Sequence, residues 1–235
     1  MKTGVYSVLF SIISDLAIGF CFIPVLLLFR RKMRLVKTFW ILSIYWLLNG
    51  LINLPVHYLA NHSESRTVLK QLNFYYNLLE APLLLLVFAC SAHGRMRRQL
   101  LFVLSLFAVG ELAVMRMKGP GVFSTSLIMG VGLLLILAYS ITGLVLYMRK
   151  MEHSPFEHSM AFIYAALLFD YGSYLIIFIF AHVHTGTGNN NGGSDSFLLY
   201  YASLLLSATL TSLGLWSYGM RPVSQDAPTV HYTSF

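Results

Sequence analysis

The sequence predicts an all-α, polytopic integral membrane protein: a seven-transmembrane-helix bundle with the N-terminus outside and the C-terminus cytoplasmic. Three observations lead there. Of 235 residues, 57% are hydrophobic and only 11% are charged, whereas soluble domains carry about a quarter charged residues. Seven apolar runs each approach the roughly 20 residues that cross a bilayer. Lys and Arg gather in alternate connections, and that asymmetry sets orientation. The runs are too long for barrel strands and lack the alternation of a barrel wall.

The predicted spans are 5–29, 38–60, 72–92, 99–116, 124–148, 159–182 and 197–219. They form a single domain over 1–220, followed by a short cytoplasmic tail, 221–235. Span one follows a single basic residue, Lys2, and stays apolar far beyond a signal peptide's short core, so it reads as a retained helix. It carries Ser7, Ser11 and Asp15 on one face, then Pro24. Span two places Asn49, Asn53 and His57 at i, i+4 and i+8, beside Pro55. Span three contains NFYYNLLEAP, residues 73–82, in which Asn73, Asn77 and Glu80 share one face. Pro82 cannot donate to the carbonyl of residue 78, which predicts a kink. Span four contributes Glu111, read as snorkelling to the interface. Span five is polar-poor, with Tyr139, Ser140 and Thr142. Span six brings Asp170, then Ser173 and Tyr174 one turn on. Span seven carries Tyr200, Ser203, Ser207 and Thr211 as a stripe. Cys21 and Cys90 lie inside spans and read as small apolar fillers.

Eleven of the sixteen basic residues fall in the connections after spans one, three, five and seven. That side should be cytoplasmic, in a plasma or inner membrane. The formal charge of +7 belongs mainly to this rim, where it attracts anionic lipid heads. No basic domain is left to hold nucleic acid. The connection HTGTGNNNGGSDS and the sequon Asn61-His62-Ser63 fall on the outer side.

An ionised carboxylate at mid-membrane costs about 2.5–3.5 kcal/mol on insertion scales. No Lys or Arg lies deep enough to pair with Asp15, Glu80, Glu111 or Asp170. Such acids must be hydrogen-bonded, hydrated or protonated, and they suit the handling of cations, protons or polar ligands. Asn, Ser and Thr stripes are read as interhelical glue. Tyr75, Tyr76, Tyr200 and Tyr201 are read as an interfacial aromatic belt.

The candidate ligand-binding residues are therefore Asp15, Asn53, His57, Asn73, Asn77, Glu80, Asp170 and Tyr174, facing a polar pocket in the outer half. His57, Glu80, His182 and His184 are the weak candidates for a metal, with His182 and His184 taken as a loop pair. No catalytic residue and no cofactor is assigned.

Seven-helix families are marked by motifs this chain lacks. Retinal proteins need a lysine in the last span, and none occurs there. G-protein-coupled receptors carry an acidic-Arg-aromatic triplet after the third helix and an Asn-Pro pair in the seventh. This chain has HGRMRR at 93–98 and no such pair. The zinc hydrolases related to alkaline ceramidase and adiponectin receptors are similar in helix count, but their HxxxH in the last helix is missing. The residues thus point to a receptor-like or sensory bundle in a lipid bilayer, binding a small molecule or lipid and acting through a partner protein. A lipid-directed metal- or acid/base-dependent enzyme and a proton- or cation-coupled transporter are the alternatives.

Overall fold

In a computed structural model describing residues 2–31, 33, 36–59, 66–119, 122–184 and 192–220, the apolar runs fold as eight helices. They are α1 (Lys2–Phe20), α2 (Ile23–Arg30), α3 (Lys37–Leu59), α4 (Arg66–Ser91), α5 (Gly94–Lys118), α6 (Val122–Arg149), α7 (Pro155–His184) and α8 (Gly192–Met220). No strand occurs among the described residues. The sequon at 61–63, residues 185–191 of the glycine-rich connection and the tail 221–235 lie outside the described residues.

Seven stretches are long and apolar enough to cross a membrane: Val8–Arg30, Lys37–Tyr58, Thr67–Ser91, Gly94–Met117, Ser124–Arg149, Pro155–Ile179 and Phe197–Tyr218. By length and composition these described stretches suggest an integral membrane protein. The first combines most of α1 with α2. A turn at Cys21-Phe22 separates the two, tightened by Phe22 N–H donating to the Gly19 carbonyl at 3.2 Å. Pro24 follows in the first turn of α2, where a missing N–H costs least.

By contrast α3 runs through Pro55 and α4 through Pro82 without interruption. Pro82, where a kink was expected, lies inside a continuous α4. The helices also begin earlier than the apolar runs. Thr67 to Gln71 continue α4, and Gly94 to Gln99 begin α5. Straight-chain polar residues are good helix formers even where they are poor membrane residues. Helix α7 starts at Pro155 because Ser154-Pro155-Phe156-Glu157 is a capping box. Ser154 N–H donates to Glu157 Oε2 at 2.9 Å, and Glu157 N–H donates to Ser154 Oγ at 3.2 Å. Lys150 Nζ adds a 2.6 Å bond to Glu157 Oε1. Helix α5 ends on Gly119, whose φ of 70° favours glycine.

Packing orders the spans into a ring: α1/α2, α3, α4, α6, α7, α8 and back to α1. Helix α5 stands outside it, against α4, with Phe102, Leu106, Val109 and Leu112 exposed. The most extensively packed pair is α7 with α8. Ser159 Oγ donates to the Gly214 carbonyl at 2.7 Å, and Ser207 Oγ donates to the Ala166 carbonyl at 2.9 Å. Small residues let the two backbones approach and serve as interhelical glue. Near the C-terminal end, Phe39, Phe156 and Tyr218 pack ring against ring. Tyr45 and Trp46 are fully buried deeper in.

Candidate ligand pocket

Toward the other end the ring does not fill. A cavity of about 310 Å³ lies between α3, α4, α6, α7 and α8. Val56, Asn73, Met129, Ile177 and Phe197 line it near the helix ends, where α3 finishes and α4 begins. Asn49, Glu80, Ile136, Asp170 and Leu204 line it one to two turns deeper.

Its polar side chains form two hydrogen-bonded chains across four helices. In the first, Tyr171 Oη on α7 donates to Glu80 Oε1 on α4 at 2.6 Å. Tyr45 Oη on α3 meets Tyr171 Oη at 3.5 Å. In the second, Tyr200 Oη on α8 donates to Asn53 Oδ1 on α3 at 3.2 Å. Asn53 Nδ2 in turn donates to the carbonyl and the Oδ1 of Asn49. Asp170 is 8% exposed and shares the cavity with Glu80. Tyr76 is 7% exposed, and its buried hydroxyl lies by the Glu80 carboxyl without a well-formed hydrogen bond. No Lys, Arg or His lines the cavity among the described residues. Two carboxyl groups thus line one partly open cavity, ringed by tyrosines, with no fixed cation among the described lining residues.

Six of the eight sequence-derived residues meet here: Asn53, Asn73, Asn77, Glu80, Asp170 and Tyr174. Asp15 and His57 do not. No described side chain of α1 lines the cavity. Asp15 is instead 47% exposed and lies 3.5 Å from His57 Nε2. Tyr58 Oη donates to Asp15 Oδ1 at 2.9 Å, and Ser11 Oγ donates to its other oxygen at 3.5 Å. Tyr58 is one residue from the end of α3, so Asp15 sits at the rim of the ring rather than in its midsection.

Among the weak metal candidates, His57 and Glu80 occupy different clusters. The loop pair expected at 182 and 184 is corrected: α7 remains helical through His184. Residues two apart on a helix point about 200° apart; the side chains of His182 and His184 lie outside those described. Among the described residues, no three His, Cys, Asp or Glu side chains group closely enough to hold a metal.

The aromatic belt also needs correction. Tyr75 is exposed, but Tyr76 and Tyr201 are buried and Tyr200 lines the cavity. Successive helical residues turn by about 100°, so adjacent tyrosines point to different faces of the helix. Tyr201 packs edge-on against Phe10 and His57. Glu111, expected to snorkel, is buried, and its Oε1 lacks a partner. Sequence reasoning missed Tyr76, Tyr171 and Tyr200 as pocket residues. The available signal was position: Tyr76 is one turn before Glu80, and Tyr171 adjoins Asp170.

A second cavity, about 590 Å³, opens at the opposite end between α4, α5, α6 and α7. Its walls are mostly apolar, with His93, Lys150, His153 and Glu157 among them. The His153 ring stacks on Tyr147 at 3.8 Å, and Tyr147 Oη pairs with His158 Nδ1 at 2.9 Å. Comparison of the chain with protein-family models, with characterised proteins and with solved structures finds no match.

Proposed function

We propose that this chain is a receptor-like or sensory seven-helix membrane protein. It binds a small ligand in the cavity between α3, α4, α6, α7 and α8 and acts through a partner protein. The observation that carries this reading is the cavity itself. Its volume falls at the lower end of ligand sites, and its few polar groups converge on a mostly apolar wall. The basic asymmetry of the connections turns this end outward. Helices α4 and α7 run from the cavity to the basic end, so a ligand that tightens their Tyr171–Glu80 link has a route to a cytoplasmic partner.

The experiment takes the purified full chain in micelles and screens chemically diverse small molecules for thermal stabilisation. Val56→Trp, which fills the cavity near its mouth, serves as the blocked control. A compound that stabilises the parent but not the control, and alters hydrogen exchange at the basic ends of α4 and α7, supports the reading. Stabilisation that is equal in both proteins, or a complete absence of stabilising compounds, overturns it.

A further inference from the structure

We infer that the cavity's ligand is an organic amine, bound with its ammonium group between Glu80 and Asp170 and its apolar body against the tyrosine wall. This rests on the reading of the cavity as a ligand site. Charge points to the amine first. Glu80 and Asp170 line the same cavity, and none of the described lining residues supplies a positive charge. In a low-dielectric space two neighbouring carboxylates repel, and a cation between them favours the charged forms. A ligand that carries its own positive charge relieves that repulsion, whereas an anion would add to it.

The walls narrow the class further. Tyr76, Tyr171, Tyr174 and Tyr200 bring aromatic faces and edges from three helices into the cavity. Tyr174 and Tyr200 lie edge to face with centroids 6.4 Å apart. Aromatic faces attract cations within about 6 Å and also pack against apolar groups. A bare metal ion would gain nothing from Ile52, Leu133, Ile136 and Leu204, which form part of the apolar wall.

An independent observation marks the position of a polar ligand group. The Tyr76 hydroxyl is buried, belongs to a residue lining the cavity, and lies by the Glu80 carboxyl without a well-formed hydrogen bond. Buried hydroxyls left poorly paired cost free energy. Tyr76 stands one turn from Glu80 on the same face of α4, so an ammonium beside Glu80, which brings three donors, comes within reach of that hydroxyl oxygen. Tyr171 donates to one oxygen of Glu80, and Tyr45 lies within hydrogen-bonding reach of Asp170, so a ligand ammonium shares both carboxyl groups with tyrosine hydroxyls.

The test uses phenethylamine, tryptamine and choline as probes, with 2-phenylethanol as a neutral body of similar shape and sodium chloride as the bare-cation control. Binding to the purified full chain is followed by calorimetry and thermal shift. At least one amine should bind, while 2-phenylethanol binds about tenfold more weakly or worse. Glu80→Gln and Asp170→Asn keep side-chain shape and should melt within the range of the parent, yet weaken the amine about tenfold. Glu111→Gln, a membrane carboxyl outside the cavity, should leave binding unchanged. If Glu80→Gln fails to fold, Asp170→Asn carries the comparison, and the failure of sodium to displace the amine supplies a second readout. Equal binding of 2-phenylethanol and the amines, or stabilisation by sodium alone, overturns the amine while leaving the cavity a ligand site. Loss of amine binding in Glu111→Gln to the same extent also overturns it. If no probe binds and the Val56→Trp comparison is silent too, the reading of the cavity falls with it.

Discussion

Glu80 shows what one residue can reveal at a distance. Its spacing from Asn73 and Asn77 is visible in the string of letters, because helical geometry puts i, i+4 and i+7 on one face. Its partner is not visible. Tyr171 is 91 positions away, and its 2.6 Å bond to Glu80 depends on how α4 and α7 are set in the ring. Tyr76 was hidden for another reason: a tyrosine near a span end fits an aromatic belt until packing shows which way it turns. Tyr171→Phe should isolate the partner's contribution. It keeps the ring packed and removes only the donor. Interhelical hydrogen bonds in membrane proteins average about 0.6 kcal/mol and reach about 1.7. A loss in the upper half of that range is expected, because Glu80 Oε1 loses the donor it has. Equilibrium unfolding in mixed micelles measures it. A neutral Tyr171→Phe would mean that this bond does not tie α7 to α4.

Elements were legible in kind and less so in extent. All seven apolar runs are helices, since twenty apolar residues have one way to satisfy their backbone in lipid. Their ends were misjudged where polar helix formers extend them, as in α4 and α5. The start of α7 was readable in principle from Ser154-Pro155-Phe156-Glu157, a capping sequence in plain view. The pairing of α7 with α8 is a different matter. Ser203, Ser207 and Thr211 suggested glue, but only Ser207 reaches across, to the Ala166 carbonyl. Ser203 bonds within its own helix, and Thr211 Oγ1 lacks a partner. The decisive residue is Gly214. A Cβ there would stand 2.9 Å from the Ser159 carbonyl oxygen, a backbone atom with little freedom to move. Gly214→Ala should therefore push α8 from α7 and cost about 1–3 kcal/mol. Gly110→Ala, where a Cβ meets nothing within 4 Å, should gain up to about 1 kcal/mol from helix propensity. Melting temperatures of the two variants should move in opposite directions. Equal effects would mean that the α7–α8 approach is looser than it looks.

Across the whole molecule, the number of spans was legible and their arrangement was not. Short connections make every consecutive pair a possible neighbour, so nothing in the sequence says that α5 stands outside the ring while α4 and α6 meet behind it. That arrangement decides which carboxyl groups share a cavity. Glu111 rides on the outer helix and is excluded; Glu80 and Asp170 belong to ring helices and converge. Orientation is the remaining property on which the pocket's biology turns. Charge in the connections predicts that the cavity end faces outward. Single cysteines at Lys118, at the cavity end of α5, and at Met151, in the exposed connection after α6, test it in a background with Cys21 and Cys90 replaced by alanine. A membrane-impermeant maleimide should label Lys118→Cys in intact cells and Met151→Cys only after lysis. The consequence reaches back to the ligand. If Met151→Cys labels in intact cells, the cavity opens to the cytoplasm. Its amine would then come from the cell's own metabolism, and the basic rim would lie where anionic lipid heads are scarcest. The charge distribution argues against that outcome, because it would leave eleven of sixteen basic residues on the side from which the positive-inside rule depletes them.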